Sequence, residues 1–190
     1  MIRLFVGIEL PEIVRARLAA FAGGIPNVRW IAPENIHLTL RFIGEVDEDV
    51  GHDVDEALAA VAAPAFAFEL AGFDTFGNGR RAHTLWAGVE RNPALVHLRD
   101  KVESALVRIG LAPETRKFSP HVTIARLNDA PVGRLKDFLA RNGLFRSGPI
   151  PCDRFVLFSS HLGRSGAAYA VEADYPLELA AVDRDARRGG

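Results

Sequence analysis

The chain has 190 residues, 48% hydrophobic and 25% charged, with a formal net charge of −1. That is ordinary for a globular protein and too little positive charge for a broad grip on duplex nucleic acid, although local arginines would suffice for a ligand with one or a few phosphates. A single cysteine, Cys152, excludes an intramolecular disulfide and a multi-cysteine metal site, and it reads as a small residue entering a strand rather than a nucleophile.

Residues 2–8 read as a buried strand. Its flanks lack a signal-peptide pattern, and no apolar run is long enough to span a bilayer, so a cytoplasmic location is expected. Pro11 opens a helix with Ile13, Val14, Leu18 and Phe21 as its apolar stripe, stopped by Gly23-Gly24. Val28 to Ile31 is a short extended piece, and Pro33-Glu34-Asn35 a turn into a strand at 36–43 that Gly44 ends. A helix from Asp47 to Val61 starts with acidic residues that suit its dipole. Two strands follow, Phe66 to Phe73 and His83 to Val89, joined by the turn-forming Gly77-Asn78-Gly79-Arg80-Arg81. Asn92-Pro93 begins a helix reaching about Ile109. After a loop come a strand at 121–127, a helix over Pro131 to Ala140, and strands at 150–161 and 167–175 joined by Gly163-Arg164-Ser165-Gly166. Residues 183–190 are polar and 180–190 is expected to be disordered, which leaves 1–179 as a single bilobal domain. Adjacent strands without a helix between them argue for α+β rather than a doubly wound parallel sheet.

Two stretches repeat. His37-Leu38-Thr39-Leu40 and His121-Val122-Thr123-Ile124 each set a His and a Thr two residues apart within an apolar run. Random placement of six His and five Thr would give roughly 0.2 such pairs. On a strand, residues two apart share a face, so each copy presents an imidazole beside a hydroxyl while its apolar residues point to the core. The copies lie 84 residues apart, each followed by a helix. That spacing implies a duplication: two pseudo-symmetric lobes of antiparallel sheet plus helices, with the active-site cleft between them.

Two facing histidines suit a displacement at phosphorus without a metal. One imidazole takes the proton of an attacking water, and one imidazolium gives a proton to the leaving oxygen. Each Thr can donate a hydrogen bond to a non-bridging oxygen, where charge builds up. A two-His metal site is the weaker reading, because the motifs bring no carboxylate or thiolate. Of the other histidines, His83 precedes Thr84 directly and would face away from it, His52 and His97 fall on helix surfaces, and His161 sits near the rim. Arg41 shares the parity of His37 and is expected at the rim.

The flanks make the match specific. Trp30 to Val46, with Ile36-His37-Leu38-Thr39-Leu40-Arg41-Phe42-Ile43-Gly44, and Phe118-Ser119-Pro120-His121-Val122-Thr123-Ile124-Ala125-Arg126 resemble the two motifs of the two-histidine (2H) phosphoesterases. They are most similar to those of the bacterial and archaeal RNA 2′,3′-cyclic phosphodiesterases, historically called 2′–5′ RNA ligases. The opening Arg3 to Ile8 and the closing Phe155 to Ser160 with Tyr169 fit the same family. The resemblance implies a metal-independent, cofactor-free hydrolase, expected to be monomeric, that opens an RNA terminal 2′,3′-cyclic phosphate to a 2′-phosphate, reversible in principle as 2′–5′ ligation. It further implies His37 as proton donor, His121 as proton acceptor, Thr39 and Thr123 on the phosphate, Phe42 stacked on the terminal base and Arg126 on phosphate. The near symmetry of the motifs leaves the division of roles between the two His open. Strict alternation turns Phe42 and Arg126 away from the cleft, so a bulge or a strand end must re-aim them. Two alternatives remain at this point. One is a small substrate such as ADP-ribose 1″,2″-cyclic phosphate; the other is a nucleotide-binding module without catalysis.

Overall fold

The apolar run at the N-terminus forms β1 (Ile2–Glu9), which sits inside a sheet and is buried on both faces over Leu4 to Ile8. The computed structural model describes residues 1–163 and 166–179; the expected turn residues Arg164 and Ser165 and the tail 180–190 lie outside the described residues. Along the chain follow α1 (Glu12–Ala19), β2 (Val28–Trp30), β3 (His37–Val46), α2 (Glu48–Ala59), β4 (Phe66–Phe76), β5 (Thr84–Val89) and α3 (Pro93–Arg108). The remainder is β6 (His121–Leu127), α4 (Val132–Asn142), β7 (Arg146–Cys152), β8 (Arg154–Gly163) and β9 (Gly166–Pro176). Among the described residues, nine strands form one sheet in the order β7-β4-β5-β6-β3-β1-β8-β9, with β2 also paired to β6, and the paired strands run antiparallel. The expected α+β class holds. No helix of the described residues is long and apolar enough to cross a membrane.

The sheet has two matching halves. β1-α1-β3-α2 and β5-α3-β6-α4 each run strand, helix, motif strand, helix, and β3 and β6 meet at the centre through the single register pair Leu38↔Val122. Both seam residues are fully buried. Leu4, Val6, Ile8, Leu38, Leu85, Ala87, Val122 and Ile124 point to one face and join α3 residues Leu95, Leu98, Val102 and Leu106 in the main core. Behind the seam, Arg41 of β3 donates to Glu103 of α3 at 2.6 Å and to the Ala112 carbonyl at 2.6 Å, an ion pair that fastens one half to the other.

Four expectations need correction. Ile13 is 70% exposed, and α1 buries only Val14 and Leu18, because the helix is short and offers the sheet one edge. Gly44 does not end its strand: it adopts a positive φ of 94° within β3, where the Leu4↔Gly44 and Phe5↔Phe42 pairs leave Ile43 as an extra residue. A glycine takes this left-handed backbone at no steric cost, so the strand bends and continues to Val46. The expected strand 150–161 is two strands, since β7 begins at Arg146 and the chain turns at Asp153. Gly148 and Pro149 disfavour a strand that starts before Ile150, but among the described residues β7 pairs only with β4 at the sheet's border, where proline is tolerated. Finally, Arg41 lies on the core side, not at the cleft rim.

β1 carries Gly7 opposite Thr39, and a Cβ added there would sit 2.7 Å from the Leu38 carbonyl oxygen and 3.2 Å from the Phe158 ring. On β5, Gly88 opposes His121 in the same way, its added Cβ 2.7 Å from the Ala71 carbonyl oxygen. Gly7→Ala is therefore expected to lower the unfolding free energy by roughly 1–3 kcal/mol in urea denaturation, because backbone must move to admit the methyl. An unchanged midpoint would show that the strands can separate there at no cost.

Candidate active site

Because β3 and β6 are antiparallel with Leu38 opposite Val122, His37 lies toward Thr123 and Thr39 toward His121, and all four side chains fall on the face opposite the core. The four line one cleft of about 540 Å³. The structure thus brings together the two His and two Thr that the sequence pairs.

Phe42 and Arg126 join them. In the β1–β3 ladder Val6 pairs with Arg41 and Gly7 with Thr39, leaving Leu40 as an extra residue. In the β5–β6 ladder Leu85 pairs with Ala125 and Trp86 with Thr123, leaving Ile124 as an extra residue. Each motif therefore carries a bulge at its fourth residue. Two successive residues face the core there (Leu40-Arg41 and Ile124-Ala125), and the parity beyond is reversed. Phe42 and Arg126 consequently line the cleft, Phe42 with 48% of its surface exposed. The same reversal removes Arg41.

Each imidazole is oriented by backbone. His37 Nδ1 lies 2.7 Å from the Asn35 carbonyl oxygen, and His121 Nδ1 lies 2.8 Å from that of Ser119. A carbonyl only accepts, so both Nδ1 atoms carry hydrogen and both Nε2 atoms are left for chemistry. His37 Nε2 is 3.1 Å from Thr39 Oγ1, from which it accepts a hydrogen bond when neutral. The turn Pro33–Asn35 also anchors the neighbouring hairpin, since Asn35 Nδ2 donates to the Ala167 carbonyl of β9 at 2.9 Å.

Aromatic rings wall both histidines. Phe5, Phe158 and Tyr169 have ring centroids 4.8, 5.5 and 5.1 Å from that of His37. Phe76 and Trp86 stand 4.7 and 5.9 Å from His121. Burial among these rings pushes the pKa of His37 down to about 4, with the charges of His121 and Arg126 acting in the same direction against the Asn35 hydrogen bond. His121 is lowered too, first by burial and then by Arg126, against its bond to Ser119. Both are shifted below the ordinary histidine value, so the neutral form is favoured in each ring at pH 7.

Among the described residues, those lining the cleft include Arg3, Arg29, Arg116 and Arg126 and no carboxylate. Arg126 Nη1 donates to Thr84 Oγ1 at 2.9 Å, and that hydroxyl, 1% exposed, lies 2.9 Å from His83 Nδ1. His83 and Thr84 thus form no third motif; Thr84 aims Arg126. Among the described residues no three His, Cys, Asp or Glu side chains cluster as a metal-ligand set. His52 and His97 are exposed on α2 and α3, and His161 is exposed outside the cleft, its Nε2 3.2 Å from Ser159 Oγ. Cys152 is buried, its thiol pushed up to about 12 by that burial, so it is no thiolate near neutrality. Sequence reasoning misses Phe5, Phe158, Phe76, Trp86, Thr84 and Arg29 as site residues. Phe5 and Phe158 belong to runs apolar on both faces, where pattern does not tell which face is the cleft.

His37 binds its proton more weakly folded than unfolded, so the folded state loses stability as the pH falls from about 6.5 to about 4. The loss through this one group is on the order of 3 kcal/mol. His37→Gln should therefore lose less stability than the parent between pH 7.5 and pH 4.5 in urea melts. Parallel losses would mean that the ring is not held neutral by burial.

Known proteins resemble this chain in sequence and fold. The model of the 2′-5′ RNA ligase superfamily matches residues 11–164. An RNA 2′,3′-cyclic phosphodiesterase of Aeropyrum pernix is 35% identical over 160 residues, which cover 83% of this chain and 90% of that protein. One from Thermotoga maritima is 31% identical over 175 residues, covering 89% and 92%. Among solved structures, E. coli LigT complexed with 3′-AMP is similar with a TM-score of 0.74 and 25% identity, over 92% of this chain and 97% of that one. The protein TT0787 of Thermus thermophilus has a TM-score of 0.77 at 24% identity, over 93% and 98%, a likeness of fold.

Proposed function

Because the chain belongs to the 2′-5′ RNA ligase superfamily, we propose that it hydrolyses RNA terminal 2′,3′-cyclic phosphate to a 2′-phosphate, with His37 and His121 as the acid–base pair. The observation that carries this reading is the single seam pair, which sets two Nε2 atoms and two Thr hydroxyls on one cleft face. The cyclic phosphate lies between the histidines. His121 Nε2 takes a proton from water as its oxygen attacks phosphorus; the P–O3′ bond breaks, and His37 Nε2–H delivers a proton to O3′. The product is a 2′-phosphomonoester and a 3′-hydroxyl, and solvent exchange returns the proton from His121 to His37. Thr39 and Thr123 donate to the non-bridging oxygens, Arg126 adds positive charge where negative charge builds up, and Phe42 offers a platform to the terminal base.

Burial lowers the pKa of both rings, that of His37 to about 4, and a ring with so low a value is a strong acid once protonated. The phosphate's negative charge offsets the burial that otherwise keeps His37 neutral.

His37→Ala and His121→Ala should each lower kcat by ~10²–10⁴ while the protein stays folded. An RNA ending in 2′,3′-cyclic phosphate, incubated with excess chelator, should yield a 2′-phosphate; a 3′-phosphate, or activity that needs an added divalent ion, would overturn the reading. With one proton required on the pair, kcat/KM should be bell-shaped in pH and peak between the two lowered values, on the acid side of 6.5. A maximum above pH 7.5 in kcat/KM would contradict it.

A further inference from the structure

The cleft holds more positive charge than one phosphate uses. Two of its four arginines carry their own carboxylates: Arg3 is 2.7 Å from Glu45, and Arg116 is 3.0 Å from Glu114. Arg126 and Arg29 have no carboxylate partner among the described residues, and Arg126 bonds to a neutral hydroxyl. These two are direct cross-strand partners, Arg29 on β2 and Arg126 on β6. Like charges set directly opposite each other destabilise a sheet unless an anion lies between or over them. The protein as a whole is slightly acidic, so the pair is a local concentration of charge and not part of a basic surface. Arg126 acts on both imidazoles and Arg29 on neither, and both arginines are exposed, so the charge extends from the reacting centre along the cleft to solvent.

We propose that Arg29, set across from Arg126, forms a second phosphate subsite that takes the 5′-phosphate group of the terminal nucleotide, the group that joins it to an RNA strand. The inference rests on the cyclic phosphodiesterase reading and names what its substrate brings besides the cyclic end. A guanidinium suits this task because its fork matches two phosphate oxygens. The geometry also favours a strand over a bare nucleoside, since the outer arginine opens to solvent where the next nucleotide would continue.

The test compares kcat/KM for three substrates: a nucleoside 2′,3′-cyclic phosphate, the same compound with a 5′-phosphate, and a dinucleotide ending in 2′,3′-cyclic phosphate. The full-length protein and its Arg29→Gln variant are measured side by side. The parent should prefer the phosphate-bearing substrates, and Arg29→Gln should shrink that preference about tenfold, mostly through KM. Arg29→Lys should restore part of it. A preference limited to the dinucleotide assigns the subsite to a strand, and equal gain from the free 5′-phosphate assigns it to small nucleotides; both support the subsite. A dinucleotide with a neutral methylphosphonate bridge should lose the same factor with the parent and little more with the variant. A preference untouched by Arg29→Gln overturns the subsite while leaving the phosphodiesterase reading intact. Failure of the parent on all three substrates overturns both.

Discussion

Everything in the cleft depends on one contact between strands. Leu38 and Val122 are where β3 and β6 touch in register, and both are fully buried. Their burial holds the central strands side chain to side chain, which sends the flanking His and Thr of each motif to the opposite face. A shift of one residue on either strand would turn that motif's His and Thr toward the core. The apolar residue between His and Thr is therefore as much a determinant of the site as the residues it separates. The Arg41–Glu103 pair beneath the seam adds a second tie between the halves, sheltered from water.

The walls of the site and its charge oppose each other. Aromatic rings strip water from the two imidazoles, and Arg126 repels a proton from them, so the neutral form is favoured in both at pH 7. Among the described residues, Glu45 and Glu114 offset two of the four guanidinium groups, and no carboxylate pairs with Arg126 or Arg29. Such a site is electrostatically incomplete until an anion enters.

Much of this is legible in the sequence, and the failures have physical causes. The order of strands and helices, the α+β class and the two His-x-Thr pairs follow from apolar periodicity and from repetition. The aim of Phe42, Arg126 and Arg41 does not, because alternation assumes an unbroken ladder. Leu40 and Ile124 are ordinary strand residues, and nothing in their chemistry announces that they bulge. β7 is hidden by two prolines that an interior strand would reject. Ile13 looks like a core residue because its spacing fits a helical stripe, yet a helix of eight residues has too little length to bury every turn. Arg29 escapes notice because a lone charged residue in a three-residue strand carries no pattern; its partner across the sheet gives it meaning.

The surroundings of His37 have an order of assembly written into them. Its motif lies in the first quarter of the chain, but Phe158 and Tyr169 come from the hairpin β8–β9, and Asn35 reaches Ala167 in the same hairpin. β8 then pairs with β1, at the opposite end of the sequence. A ribosome that has delivered both motifs has still not delivered these walls. Until the hairpin docks, His37 lacks two of the three rings that wall it. His121, whose ring neighbours Phe76 and Trp86 precede it in the chain, meets no such delay. The two motifs are near twins in sequence, yet the ring neighbours of His121 precede it in the chain, whereas two of the three around His37 lie far downstream of it.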